Sequence, residues 1–157
     1  MRRVLFICLG NICRSPIAEG VLAQMAKSKA LGWTVESAGT NRNHKGGPAD
    51  ERSVRICEKR GVDISGHIAR RFRTKDFDEY DLIYTMAEDV VDEMQEFITE
   101  PTQRKKIINF LDEMPADSYP RGQDVPDPWY GSEEGFAHCF DLIEKCCSEI
   151  LRKYSKR

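Results

Sequence analysis

Eight residues, Cys8-Leu9-Gly10-Asn11-Ile12-Cys13-Arg14-Ser15, follow directly on the apolar run Val4-Leu5-Phe6-Ile7 and constrain this chain more than any other segment. They put a thiol, a guanidinium and several backbone N–H groups into one loop, and Ser15-Pro16 then reads as a helix start. Ser15 suits the N-cap and Pro16 the first helical position, where a missing N–H costs nothing. A loop that feeds a helix N-terminus presents amide hydrogens and a positive dipole end to whatever it holds, and phosphate is the natural guest. In that field the Cys8 thiol ionises easily, because the amides, the dipole and Arg14 all favour the thiolate. A thiolate under a phosphate cradle is the equipment for nucleophilic phosphoryl transfer.

Each residue type also has an ordinary use. Free cysteine is a small apolar residue that often ends a buried strand. The glycine, the Ser-Pro helix start and the preceding strand pattern together make the functional reading the stronger one.

The size and composition narrow the field. A chain of 157 residues, 40% apolar and 32% charged, is long enough to fold as one domain over residues 1–157 without a metal or disulfide staple. A formal charge of -2 argues against a nucleic-acid binder, so any attraction for phosphate is local. No apolar stretch approaches the roughly 18 residues that span a membrane, and Met-Arg-Arg followed by a short apolar run is not a secretory signal. The cysteines are Cys8, Cys13, Cys57, Cys139, Cys146 and Cys147; their spacing matches no zinc pattern, and we expect no metal, no cofactor and a reducing, cytoplasmic setting.

Along the chain, apolar runs alternate with helical patterns. Residues 3–7, 33–37, 80–85 and 106–110 read as strands. Helical spacing appears in Ile17, Val21, Leu22 and Met25. It recurs over residues 48–60, with Val54 and Cys57 inward and Gly61 as C-cap. Val90, Val91, Met94, Phe97 and Ile98 form another helical set, and Phe136, Phe140, Ile143, Cys147, Ile150 and Tyr154 mark a final one. This alternation implies an α/β fold with a parallel sheet covered on both faces. Ligands in such sheets bind beyond the carboxyl ends of the strands, where Cys8, Ser37 and the long proline-rich segment 111–131 fall.

Cys8-x5-Arg14-Ser15, the strand ending Glu36-Ser37-Ala38-Gly39, and Asp127-Pro128-Trp129-Tyr130 resemble the low-molecular-weight protein tyrosine phosphatases, and the similarity runs through essentially the whole chain. The resemblance implies a three-layer αβα fold with a four-stranded parallel sheet of order 2-1-3-4 and a phosphate-binding loop after strand 1. It further implies a metal-free phosphatase acting on phosphotyrosine in proteins and on small aryl phosphates through a phosphocysteine. Cys8 is then the nucleophile, Arg14 and the amides of Leu9, Gly10, Asn11, Ile12, Cys13 and Arg14 bind the phosphoryl oxygens, and Ser15 donates to the sulfur. Among the acids Asp112, Glu113, Asp117, Asp124 and Asp127 residue logic makes no choice; the family uses the aspartate before proline, hence Asp127 as general acid and then base. Asn11 tolerates a left-handed backbone, and Ser37 and His67 match family residues that brace it and the Ser15 hydroxyl. Cys13 matches a redox partner able to trap oxidised Cys8 as a disulfide. Trp129 and Tyr130 form an aromatic wall, and Ile12, where arginine phosphatases of the family carry threonine, favours an aryl group. We expect a monomer, with weak dimerisation left open, and Tyr130 is a candidate for phosphorylation.

The chain departs from the family where Asn43 stands in place of a frequent aromatic residue and where Met86 is followed by Ala87. His44 and His138 receive no role. Arg70, Arg71 and Arg73, and again Arg104, Lys105 and Lys106, read as a solvated face, with docking of acidic sequence around phosphotyrosine as the alternative. An arsenate-reductase relay would need cysteines after strand three, yet none lies between Cys57 and Cys139; a non-catalytic phosphate binder would have lost Cys8, Arg14 or the acid.

Overall fold

β1 (Arg3–Cys8) is buried from Val4 onward, because the sheet it occupies has apolar layers on both sides. Val4 and Phe6 pack into one core with Ile17 and Leu22; Leu5 and Ile7 pack into the other with Phe72, Phe77 and Ile83. Side chains alternate across a strand, so a strand covered on both faces must be apolar throughout.

The computed structural model describes residues 2–129 and 131–156. After β1 come α1 (Arg14–Ser28), β2 (Thr34–Gly39), α2 (Glu51–Lys59), α3 (Asp76–Glu79), β3 (Leu82–Thr85) and α4 (Glu88–Met94). A 3-10 turn (Gln95–Phe97), α5 (Pro101–Arg104), β4 (Ile107–Asn109), a second 3-10 turn (Phe110–Glu113) and α6 (Glu133–Tyr154) complete the order. Every strand pair is parallel and the order is β2-β1-β3-β4. Residues of α1, α2 and α6 fill one core, and those of α3, α4 and the first 3-10 turn fill the other, which gives the expected three layers.

The strand order decides where a ligand can sit. From β1 the chain moves to one side to make β2, then crosses back to make β3 on the other side. The connections therefore diverge at the carboxyl end of β1, and the crevice left there holds the loop after Cys8.

Several local expectations need correction. Helix α1 begins at Arg14, one residue before the expected cap, and Cys13 is the N-cap. Ser15 makes no capping bond, and Pro16 occupies the third position, still among the first four residues whose N–H groups have no helical partner. Helix α2 starts at Glu51 rather than 48, because the Asp50 carboxylate accepts from Arg52 N and ends the preceding extended segment. Its buried side chains are Ser53, Ile56 and Cys57, with Val54 only half-buried. The helix expected through Ile98 stops at Met94 and tightens into the 3-10 turn, and segment 111–131 opens with the second such turn. The four-residue helices α3 and α5 had no periodic signal in the sequence. Gly61 follows the C-cap of α2 with φ of 78°, the left-handed value that ends a helix cheaply only at glycine. Among the described residues no helix is long and apolar enough to cross a membrane.

Candidate active site

The loop after β1 is held by its carbonyls. Cys8 O accepts from Thr40 N at 3.2 Å, Leu9 O from Thr40 N at 2.9 Å and Asn41 N at 3.0 Å, and Ile12 O from Asp50 N at 2.9 Å. Asn11 O lies 2.7 Å from His67 Nε2, and Cys13 O accepts from Ser53 Oγ at 3.4 Å. In a planar trans peptide the C=O and the following N–H point in opposite directions. Carbonyls turned outward to these partners therefore leave the amides of Leu9, Gly10, Ile12, Cys13 and Arg14 turned inward. Among the described residues, none of the N–H groups of residues 9–13 donates to another protein group. A ring of unspent donors ahead of the α1 N-terminus is an oxyanion nest.

Two features make this curl feasible. Asn11 has φ of 58°, in the left-handed region that asparagine tolerates better than most residues. Gly39 at the end of β2 lies against the loop: a Cβ there would sit 2.7 Å from Leu9 O and 3.0 Å from Asn11 N. Only a residue without a side chain lets β2 approach so closely.

Asn11 is fully buried and spends its side chain on fixing its neighbours. Its Oδ1 accepts from Arg70 N at 3.0 Å, which places Nδ2 toward Ser15 Oγ and Ser37 Oγ, each at 2.9 Å. Both hydroxyls accept from Asn11, so their hydrogens are directed elsewhere. Ser37 donates to Glu19 Oε1 at 2.5 Å, and Ser15 faces Cys8 Sγ at 2.9 Å. His67 carries a hydrogen on Nε2, since the Asn11 carbonyl it meets can only accept. Its Nδ1 lies 3.8 Å from Glu19 Oε1. Burial raises the Glu19 carboxyl above its ordinary range, opposed by the Ser37 hydroxyl and by His67. His67 thus holds the Asn11 backbone and does not reach the Ser15 hydroxyl.

Cys8, Ile12, Cys13 and Arg14 line a cleft of about 160 Å³, joined by Leu9, Gly10, Asn41, His44, Asp127 and Trp129. Arg14 is 4% exposed, with Nη1 donating to Val125 O at 2.9 Å and Nη2 lying 3.8 Å from Asp127 Oδ2. The far loop reaches this point because it is tied to β3: Val125 N donates to Met86 O at 2.8 Å, and Asp124 Oδ1 accepts from Glu88 N at 2.9 Å. Asp124 thereby satisfies the start of α4, where Ala87 has no side chain to do so. Asp112 is occupied with Gly122 N and Asn109, and Glu113 with Tyr84 and Lys153. Asp127 is the acid that lines the cleft, its Oδ1 fixed by Trp129 N at 3.0 Å.

Trp129 lines the cleft; Tyr130 lies outside the described residues. Segment 41–46 corrects the sequence reading at His44. Asn43 turns back to Asn41, its N–H bonded to Asn41 Oδ1 at 3.1 Å, while His44 faces Trp129 with ring centroids 5.8 Å apart. His44, which the sequence reading gave no role, therefore adds aromatic surface to the cleft beside Trp129. Glu19, His44 and the Val125 carbonyl were missed in the sequence. A glutamate half a turn from the apolar stripe of α1 was a faint signal for the first, and nothing local marked the others.

All the cysteines are free and buried. Burial pushes the Cys57 and Cys139 thiols up to about 12, raises Cys13 and Cys146 further and holds Cys147 well above its ordinary value, so these sulfurs stay protonated near neutrality.

Fold and site together define a parallel α/β protein with a thiol-bearing oxyanion loop at its topological switch. A family model described as low molecular weight phosphotyrosine protein phosphatase matches residues 3–157. A Synechocystis protein named as a putative low molecular weight protein-tyrosine-phosphatase is 37% identical over 98% of this chain and 97% of its own length. Crystals of an Entamoeba histolytica protein tyrosine phosphatase superpose with a TM-score of 0.89 at 32% identity, covering 99% of this chain and 97% of that one. Vibrio vulnificus Wzb, solved with benzylphosphonate, gives 0.82 at 28% identity over 97% and 98% of the two chains. The chain belongs to the low molecular weight phosphotyrosine protein phosphatase family, and is thereby a phosphoric monoester hydrolase.

Gly39→Ala is expected to cost about 1–3 kcal/mol in urea denaturation and to lower phosphatase activity at least about tenfold, since backbone must give way. Gly66→Ala, with open space around its Cβ, is the control and should leave activity unchanged. Equal behaviour of the two variants would show that close approach at Gly39 does not shape the loop. Alkylation of the native protein near neutral pH is expected to modify Cys8 first, read by peptide mass; label spread evenly over several cysteines would contradict the site.

Proposed function

We propose that this chain hydrolyses phosphotyrosine in proteins, and small aryl phosphates, with Cys8 as nucleophile and Asp127 as proton donor and acceptor. The observation that carries the reading is the 2.9 Å contact of Cys8 Sγ with Ser15 Oγ inside a cleft also lined by Arg14 and Asp127. Asn11 already donates to that hydroxyl, so Ser15 has its own hydrogen to give to sulfur, which stabilises the thiolate.

In the first step the Cys8 thiolate attacks phosphorus in line, a sulfur–phosphorus bond forms, and the bond to the phenolic oxygen breaks. Asp127 in its acid form passes its proton to the departing phenolate. The inward amides and the Arg14 fork meet the equatorial oxygens, and their value is greatest where charge shifts in the transition state. In the second step the Asp127 carboxylate takes a proton from water, whose oxygen attacks phosphorus. The sulfur–phosphorus bond breaks, releasing phosphate and restoring the thiolate.

Substrate class follows from the walls. Ile12, His44 and Trp129 offer apolar and aromatic surface to a phenyl ring. The benzylphosphonate bound by Vibrio vulnificus Wzb carries an aromatic ring on a phosphorus oxyanion, in keeping with that preference. Cys13 shares the cleft lining, which supports a protective role: peroxide would oxidise Cys8 to a sulfenic acid, and the Cys13 thiol would displace water from it to form a disulfide.

With a chelator present, the wild type is expected to hydrolyse an aryl phosphate and Cys8→Ser to be inactive, because a serine hydroxyl stays protonated. Asp127→Ala is expected to slow esters of poor leaving groups by about 10²–10³ and those of good ones far less. Turnover by Cys8→Ser at the wild-type rate would remove the nucleophile from the mechanism. Faster turnover of phosphoarginine than phosphotyrosine peptides would refute the aryl specificity.

A further inference from the structure

A second recess, of about 580 Å³, lies on the far side of the segment that walls the catalytic cleft, and is lined by Arg42, Lys45, Arg70, Arg71, Phe72 and Arg73. Every ionisable side chain in that lining is cationic, in a chain whose formal charge is -2. Three of the arginines are fixed in place. The buried Asp76 carboxylate takes Arg70 Nη1 at 2.9 Å and Arg73 Nη2 at 3.4 Å. Arg71 donates to Thr40 O at 3.0 Å and pairs with Glu96 at 2.6 Å. A third nearby acid, Glu93, accepts the Thr40 hydroxyl at 2.6 Å. Arg42 and Lys45 are exposed and, among the described residues, have no carboxylate within 4.0 Å. The recess therefore keeps a local positive excess on a braced frame, which lowers the ordering cost of receiving an anion.

Its position relates it to the reaction. Asn41 and His44 face the catalytic cleft, whereas Arg42 and Lys45, interleaved with them in the chain, face the recess. This shared wall is tied at both ends: Asn41 N donates to Leu9 O, and Gly46 N and Ala69 N bond to Ala69 O and Gly47 O. Arg70 N bonds to Asn11 Oδ1 in the loop itself. The recess is thus held in register with the phosphate nest, one chain segment away.

Resting on the function proposed above, we propose that this recess receives aspartate or glutamate side chains flanking the phosphotyrosine of a protein substrate. A peptide whose phosphorylated side chain enters the cleft advances about 3.3 Å per residue, so that residues flanking the phosphotyrosine cross the wall. Arg42 and Lys45 then supply the selectivity, as exposed charges that steer and hold an acidic partner, while the braced arginines set the field.

The test compares phosphotyrosine peptides carrying glutamate on the N-terminal or the C-terminal side with glutamine-matched controls. The enzymes are wild type and the double variant Arg42→Gln, Lys45→Gln. For at least one side, the glutamate peptide should show kcat/KM about five- to tenfold higher in wild type, carried by KM and fading as salt is raised, the scale of two exposed ion pairs. The double variant should lose that preference and keep its turnover of a small aryl phosphate and its melting temperature. Equal kcat/KM for glutamate and glutamine peptides in wild type overturns the proposal, as does a preference that survives in the double variant. Absence of aryl phosphate hydrolysis by wild type would instead count against the catalytic reading.

Discussion

The outward tethering of the carbonyls of Cys8, Leu9, Asn11, Ile12 and Cys13 is the constraint on which the site depends. A loop of free amides is costly in isolation, because each unpaired donor loses its water when buried. Here the opposite end of each peptide is satisfied by Thr40, Asn41, His67, Asp50 or Ser53, so the backbone cannot turn over to relieve the strain. The left-handed Asn11 absorbs the curvature, and its amide group fixes the hydroxyl that meets the Cys8 sulfur. Geometry and electrostatics of the nest come from one set of bonds.

The partners in that set come from distant parts of the chain. Thr40 and Asn41 follow β2, Asp50 and Ser53 begin α2, and His67 and Arg70 precede α3. They meet because the strand order reverses at β1 and leaves their connections around one crevice. The same convergence explains Asp127, delivered by a loop pinned to β3 through Met86 and Glu88. Segment 41–47 serves both sides of the wall, with His44 toward the phosphate nest and Arg42 and Lys45 toward the basic recess.

The layers and strands were legible because a doubly covered parallel sheet writes unbroken apolar runs, as in Val4–Ile7, and covering helices write periodic ones, as in α6; the strand order came only with the family resemblance. Boundaries were less so. The start of α2 depends on whether Asp50 caps or joins the helix, and its backbone N–H is drawn off to Ile12 O by tertiary contact. Ser15 looks like a cap in isolation, yet its hydroxyl goes to Cys8 and Asn11, because buried polar partners outbid a local turn. The basic run at 70–73 reads as solvated surface until Asp76 and Glu96 are seen to brace it.

Residue types at fixed short spacing determined the Cys8–Ser15 loop, the guanidinium of Arg14 beside it and the left-handed asparagine, since these act within one turn of backbone. Tertiary structure alone decided that His44 lines the cleft beside Trp129, that the Val125 carbonyl takes Arg14, and that Glu19 anchors Ser37. Those outcomes turn on distances between segments tens of residues apart, and the one-dimensional order of side chains carries no record of such distances until the sheet brings the segments together.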